Sequence, residues 1–149
     1  MTFTSRSLQD TAVAAQNILG NLAEKLHTDQ ATIVGLSGHL GAGKTAFVKA
    51  AAKHLGIGEE ITSPTFVIMK QYPLSGAAWK QLIHIDAYRL EAGKELHVLD
   101  FGKLAADKDN LILLEWPENV REVLGQFELT TITFELSGNG EERTITVTP

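Results

Sequence analysis

Apolar residues at the start of the chain recur at helical spacing. Leu8, Ala12, Ala15, Leu19, Leu22 and Leu26 form one stripe, and Ser7 stands where an N-cap would. That pattern predicts an amphipathic helix over residues 7–27, packed on a sheet. The period then changes. Residues 32–37 are short, apolar and β-branched, as a strand requires, whereas residues 46–55 are helix formers closed by Gly56 as a C′ residue. A loop over residues 57–64 leads to two predicted strands, 65–70 and 79–86, with residues 72–76 (Tyr-Pro-Leu-Ser-Gly) as their hairpin connection. A helical stretch near 91–106 precedes residues 110–115, whose apolar run reads as a strand covered on both faces, as in a parallel sheet. Two last strands, 127–136 and 142–148, are joined across residues 137–140 (Ser-Gly-Asn-Gly).

Between the first strand and its helix lies Gly38-His39-Leu40-Gly41-Ala42-Gly43-Lys44-Thr45, a complete G-x-x-x-x-G-K-[ST] phosphate loop. Its glycines let successive N–H groups point inward at phosphate oxygens, and the following helix adds its positive N-terminal dipole. Lys44 is placed to reach the β- and γ-phosphates, and the Thr45 hydroxyl to ligate Mg²⁺. Residues 38–46, Ala46 included, are the candidate nucleotide-binding residues. Strand, glycine loop and helix together predict an α/β P-loop NTPase: a mostly parallel sheet flanked by helices, with a C-terminal antiparallel hairpin.

Composition narrows the function. A length of 149 residues suits one domain, and 44% apolar residues suffice for a core. The absence of cysteine excludes disulfides, thiolate catalysis and Cys-based zinc sites. Residues 1–10 lack a signal peptide's pattern, and no apolar run approaches the ~20 residues that span a bilayer. A cytoplasmic protein with no membrane partner is expected. The net charge of −5, with scattered Lys and Arg, argues against direct tight binding of RNA or DNA.

Hydrolysis needs an acid for Mg²⁺ or its water and a group that orients the attacking water. Two predicted strands end in an acid, at Asp86 and at Glu115, and the sequence does not rank them. His84 and Asp86 lie two apart on one strand, hence on one face, which permits either a His–carboxylate pair near the phosphates or a histidine bonded for packing. Ser63-Pro64-Thr65 lies where a switch segment would lie, and is also an ordinary proline turn. Trp116 can pack on a nucleotide or in the core.

The ordered strings at 38–45, Ser63-Pro64-Thr65-Phe66, His84-Ile85-Asp86-Ala87-Tyr88-Arg89-Leu90 and Glu115-Trp116-Pro117 resemble the signature of the TsaE (formerly YjeE) family, along the whole chain. The resemblance implies a small bacterial ATPase of tRNA threonylcarbamoyladenosine synthesis, using ATP/ADP and Mg²⁺. It implies as partners the TsaB–TsaD pair, which modifies N6 of adenosine 37, with tRNA contacted only indirectly and hydrolysis resetting the complex. By resemblance, Lys44 holds phosphates, Thr45 and Glu115 hold Mg²⁺, Asp86 orients the metal's water or the attacking water, Thr65 makes the switch contact, and Trp116 lies close to the nucleotide. Lys44 and Asp86 are the catalytic candidates. His39 stands where the family usually has an acid, and Asp100 where a glycine is common. The rival functions are a small-molecule kinase, for which little chain is left, and a nucleotide-gated binding module. A GTPase is disfavoured, since no N-K-x-D or D-x-x-G follows the loop.

Overall fold

The apolar run that promises a doubly covered strand forms one, buried at all its positions and paired in parallel on both sides. The computed structural model describes residues 1–62, 68–90 and 100–149. Its strands are β1 (Thr2–Ser5), β2 (Thr32–Ser37), β3 (Met69–Pro73), β4 (Gln81–Asp86), β5 (Asn110–Glu115), β6 (Thr130–Leu136) and β7 (Arg143–Thr148). They make one sheet in the order β1-β7-β6-β2-β5-β4-β3. The middle four, β6-β2-β5-β4, run parallel, while β3 on one edge and β7 with β1 on the other run antiparallel. The sheet is therefore mixed: its core is parallel, and the C-terminal hairpin is antiparallel as expected.

Alternation along the central strands divides the core in two. Leu111 and Leu113 join Val34, Leu36 and Leu82 beneath helices α1 (Leu8–Ala23) and α2 (Lys44–His54). Ile112 and Leu114 join Ile33, Ile83 and Ile85 on the opposite face, beneath helix α3 (Phe101–Ala105), Val120 and helix α4 (Arg121–Leu124). The parity matters for function, because Glu115 continues the Leu111–Leu113 row and His84 continues from Leu82, both toward α2.

Several local expectations hold by identifiable bonds. Ser7 caps α1 by accepting from the Asp10 N–H at 3.1 Å. Gly56, at φ 85°, closes α2 in a Schellman arrangement: its N–H meets the Lys53 carbonyl at 3.1 Å, and the Ile57 N–H meets Ala52 at 3.0 Å.

Other boundaries differ. Helix α1 stops at Ala23, and its buried face is Thr11, Ala14, Ala15, Ile18 and Leu19, so the predicted stripe follows one border of that face. Leu8 and Leu26, at the ends of the stripe, are exposed. β1, which sequence pattern did not reveal, is a four-residue strand whose pairing, among the described residues, comes from β7. The strand expected from 127 begins at Thr130, and that expected from 79 begins at Gln81. Trp79 is nevertheless buried, because its indole N–H donates to the Thr32 hydroxyl at 2.8 Å. β3 runs on through Tyr72 and Pro73, so the connection of the hairpin begins at Leu74. The first part of the strand expected over 65–70, and residues 91–99 of the helix expected over 91–106, lie outside the described residues. Asp100 sits in the left-handed region at φ 54°, where glycine carries less strain.

Gly35, in the middle of β2, fixes how closely the chain after β5 approaches. A Cβ there would stand 2.9 Å from the Pro117 Cγ, and a proline ring cannot swing aside. Gly35→Ala is expected to lower stability by about 1–3 kcal/mol, read as a reduced denaturation midpoint at unchanged slope. An unchanged midpoint would show that the Pro117 turn is soft.

Candidate functional site

Parallel strands end together, and the groups on the carboxyl ends of β2, β5 and β4 meet at one edge of the sheet. β2 turns directly into the glycine loop. Gly38, at φ 153°, lies against β6: a Cβ would stand 2.6 Å from the Phe134 carbonyl oxygen, so no other residue fits. Gly43, at φ 112°, is the N-cap of α2 and offers no side chain to its first amides. No side chain caps those N–H groups, which leaves the start of the helix open to an anionic acceptor such as phosphate.

Lys44 is buried. Its ammonium donates to the carbonyls of Gly38 and His39, the latter at 2.9 Å, and lies 4.3 Å from the centroid of the Trp116 ring. Burial pushes its pKa below the ordinary lysine value, and the carboxylates of Glu115, Glu118 and Asp86 act in the opposite direction. A cation stripped of most of its water is thereby held ready for an anion.

Thr45 and Glu115, the two residues expected to hold a metal, are joined by a hydrogen bond. The Thr45 hydroxyl donates to Oε1 of Glu115 at 3.1 Å, and the His84 ring meets Oε2 at 2.7 Å through Nε2. His84 is fully buried, and its Nδ1 has no hydrogen-bond partner among the described residues, so Glu115 is the ring's one anchor. The histidine thus pairs with Glu115, across the strands, and not with Asp86 two residues on. Asp86 stands opposite Glu115 in the β4–β5 register, and its Oδ1 accepts the Tyr88 N–H at 3.0 Å in an Asx turn.

Trp116 occupies a left-handed conformation, φ 62°, unusual for a bulky residue. Its N–H donates to Leu36 at 3.1 Å, and the Asn119 amide donates to the carbonyls of Ala87 and Tyr88 at 2.9 and 3.2 Å. The turns after β5 and β4 are thereby tied together, and the Tyr88 and Trp116 rings lie 5.0 Å apart.

One cavity of about 420 Å³ gathers most of the expected residues: Leu40, Gly41, Gly43, Lys44, Thr45, Ala46, Asp86, Glu115 and Trp116. Gly38 and His39 reach it through the carbonyls that hold Lys44, while the His39 side chain is exposed to solvent. Ala42 is buried beneath the loop. Thr65, with the Ser63-Pro64-Thr65 string, lies outside the described residues. Tyr88, Arg89 and Arg143 also line the cavity. Arg143 is absent from the sequence expectations; the signal available was an arginine at the start of a returning strand, in step with the inward-facing Ile145.

The donor set suits Mg²⁺ held largely through phosphate. A hydroxyl and a carboxylate 3.1 Å apart are hard oxygen ligands, and among the described residues no group of three His, Asp or Glu could cage a metal alone. The glycine cradle, closed to any Cβ at Gly38, suits a phosphate chain.

Known proteins resemble this chain along most of its length. The sequence profile described as "Threonylcarbamoyl adenosine biosynthesis protein TsaE" matches residues 6–145. The tRNA threonylcarbamoyladenosine biosynthesis protein TsaE of Treponema pallidum is 36% identical over 149 residues, covering 97% of this chain and 99% of its own. That of Streptomyces coelicolor is 39% identical over 119 residues, 78% of each chain. The crystal structure of Bacillus subtilis YdiB superposes with a TM-score of 0.70 at 26% identity, over 99% of this chain and 83% of that one. With its glycine loop, its acid-tipped parallel strands and a match over nearly its full length, this chain belongs to the TsaE family.

Proposed function

We propose that this chain, as one domain, is a Mg²⁺-dependent ATPase. It assists a TsaB–TsaD type complex in placing the threonylcarbamoyl group on N6 of adenosine 37 of tRNA. The observation that supports the catalytic part is the line Thr45–Glu115–His84, which holds the Glu115 carboxylate against the first turn of α2, beside the phosphate loop.

Each residue then has a task. The loop amides and the start of α2 take the phosphate oxygens, and Lys44 turns from the Gly38 and His39 carbonyls toward them. Thr45 and Glu115 hold the metal, with His84 keeping Glu115 from rotating away. Mg²⁺, when bound, neutralises charge on the phosphates and polarises the bond to be cleaved. Asp86, one strand over from Glu115, orients a water, either the metal's or the attacking one. Trp116 and Tyr88 wall the cavity on the far side.

A nucleotide-gated binding module is the second reading. It is favoured by Leu40 and Tyr88, large apolar residues that line the cavity yet remain exposed at its mouth. On that reading ATP orders a surface for the partner proteins, and slow hydrolysis in the isolated chain is incidental.

Lys44→Ala is expected to weaken ATP binding by at least about 2 kcal/mol, roughly thirtyfold; undiminished affinity by calorimetry would sink the site assignment. Glu115→Ala is expected to reduce Mg²⁺-dependent binding and hydrolysis about tenfold or more, with a much smaller effect on nucleotide binding in EDTA. Equal losses with and without metal would argue against a metal role. The biological reading rests on reconstitution: the TsaB–TsaD pair, tRNA, ATP and threonylcarbamoyl-adenylate, with and without this chain. Multiple-turnover modification is expected only with it. Identical turnover in its absence would refute the proposed resetting role.

A further inference from the structure

Besides Lys44 and Arg89, the cavity is lined by a cation brought in by the opposite end of the chain. β7 runs antiparallel to β6, so it starts at the edge where the parallel strands finish, and its first residue is Arg143. Within β7, Arg143 shares parity with Ile145, which packs in the core beneath α1 and α2. The arginine is therefore directed to the α2 side of the sheet, at the level of the glycine loop.

Its stem lies across the α-carbon of Gly43. A Cβ at Gly43 would stand 3.1 Å from the Arg143 Cδ and 3.2 Å from its Nε. The Nε is buried without a hydrogen-bond partner, one of only two such side-chain atoms among the described residues. An unpaired buried donor is costly, and native proteins keep one where a ligand supplies the acceptor. No carboxylate among the described residues pairs with this guanidinium. The adjacent Glu142 is taken by Arg6 at 2.8 Å, and the acids that line the cavity, Asp86 and Glu115, make their observed bonds to Tyr88, Thr45 and His84. Arg143 thus brings an uncompensated charge to a cavity it shares with Lys44 and Thr45.

We propose that Arg143 is a second phosphate-binding cation of the site, its guanidinium donating to the nucleotide's phosphate chain beside Gly43. This rests on the nucleotide reading given above. Lys44 and Arg143 then flank the loop from different elements, one from α2 and the other from β7. A guanidinium suits the place, because its fork of donors fits phosphate oxygens and it sheds water more readily than an ammonium.

The test compares Arg143→Lys, Arg143→Gln and Arg143→Met with the unsubstituted chain. The readouts are calorimetric binding of ATP and of inorganic tripolyphosphate, and the melting temperature without ligand. Methionine keeps an apolar stem over Gly43 and loses the charge, whereas lysine keeps a charge. Arg143→Gln and Arg143→Met should each lose about tenfold or more in affinity for both ligands. Arg143→Lys should retain most of it, and the ligand-free melting temperature should move little. Affinity restored by methionine, or full affinity in all three variants, would overturn the proposal and leave Arg143 as loop packing. Tight ATP binding by the unsubstituted chain, lost on Lys44→Ala, would show the nucleotide reading intact even then. No binding by the unsubstituted chain would overturn both.

Discussion

A single buried carboxylate, that of Glu115, holds the functional edge of the sheet together. It is only 3% exposed, and a charge so placed is tolerable when both oxygens are satisfied. The Thr45 hydroxyl satisfies one and the His84 ring the other, so α2, β5 and β4 are fastened at one point. The Ala87 N–H adds a backbone bond to the Glu115 carbonyl at 3.0 Å. Stability and chemistry share this contact. The hydroxyl that would bind Mg²⁺ here spends its proton on the acid that would bind Mg²⁺ with it, so the two ligands are prealigned at small cost in side-chain entropy.

The same constraint explains the irregular backbone around it. Once Glu115 is fixed inward at the end of β5, the next residue must leave the strand sharply, because Pro117 cannot continue a ladder. Trp116 absorbs the turn in a left-handed conformation, held by its bond to Leu36 and by the staple from Asn119 across to Ala87 and Tyr88. Gly35 leaves room for the Pro117 ring on the other face. The strain is local and the compensations are specific, and the Trp116 ring is delivered over Lys44 as a result.

How far the sequence anticipates this depends on the range of the interaction. The cap at Ser7, the Schellman close at Gly56, the loop and the doubly buried β5 are legible because each depends on a few adjacent residues. The carboxylates at Asp86 and Glu115 are legible as strand ends, but their division of labour is not. Which acid faces Thr45 follows from β5 lying next to β2, with β4 one strand further out, and that order is a tertiary fact. His84 illustrates the same limit: spacing links it to Asp86, whereas register gives it to Glu115. β1 stays hidden because four residues bonded to one neighbour carry too short a pattern. Arg143 is far from the motif in sequence, and only the antiparallel return of β7 brings it to the loop.

Charge shows how an acidic chain can still offer a cavity suited to an anion. The chain carries −5, yet the cavity is lined by three cations, Lys44, Arg89 and Arg143, against two acids, Asp86 and Glu115. Burial disfavours the Lys44 charge, and the nearby carboxylates offset only part of that penalty. A phosphate chain entering the loop relieves the penalty on the cations, while a divalent metal relieves the crowding of negative charge between the phosphates and the two acids. Either guest alone leaves one sign uncompensated. Nucleotide and metal are therefore expected to strengthen each other's binding, since each reduces the cost that the other would impose on this cavity.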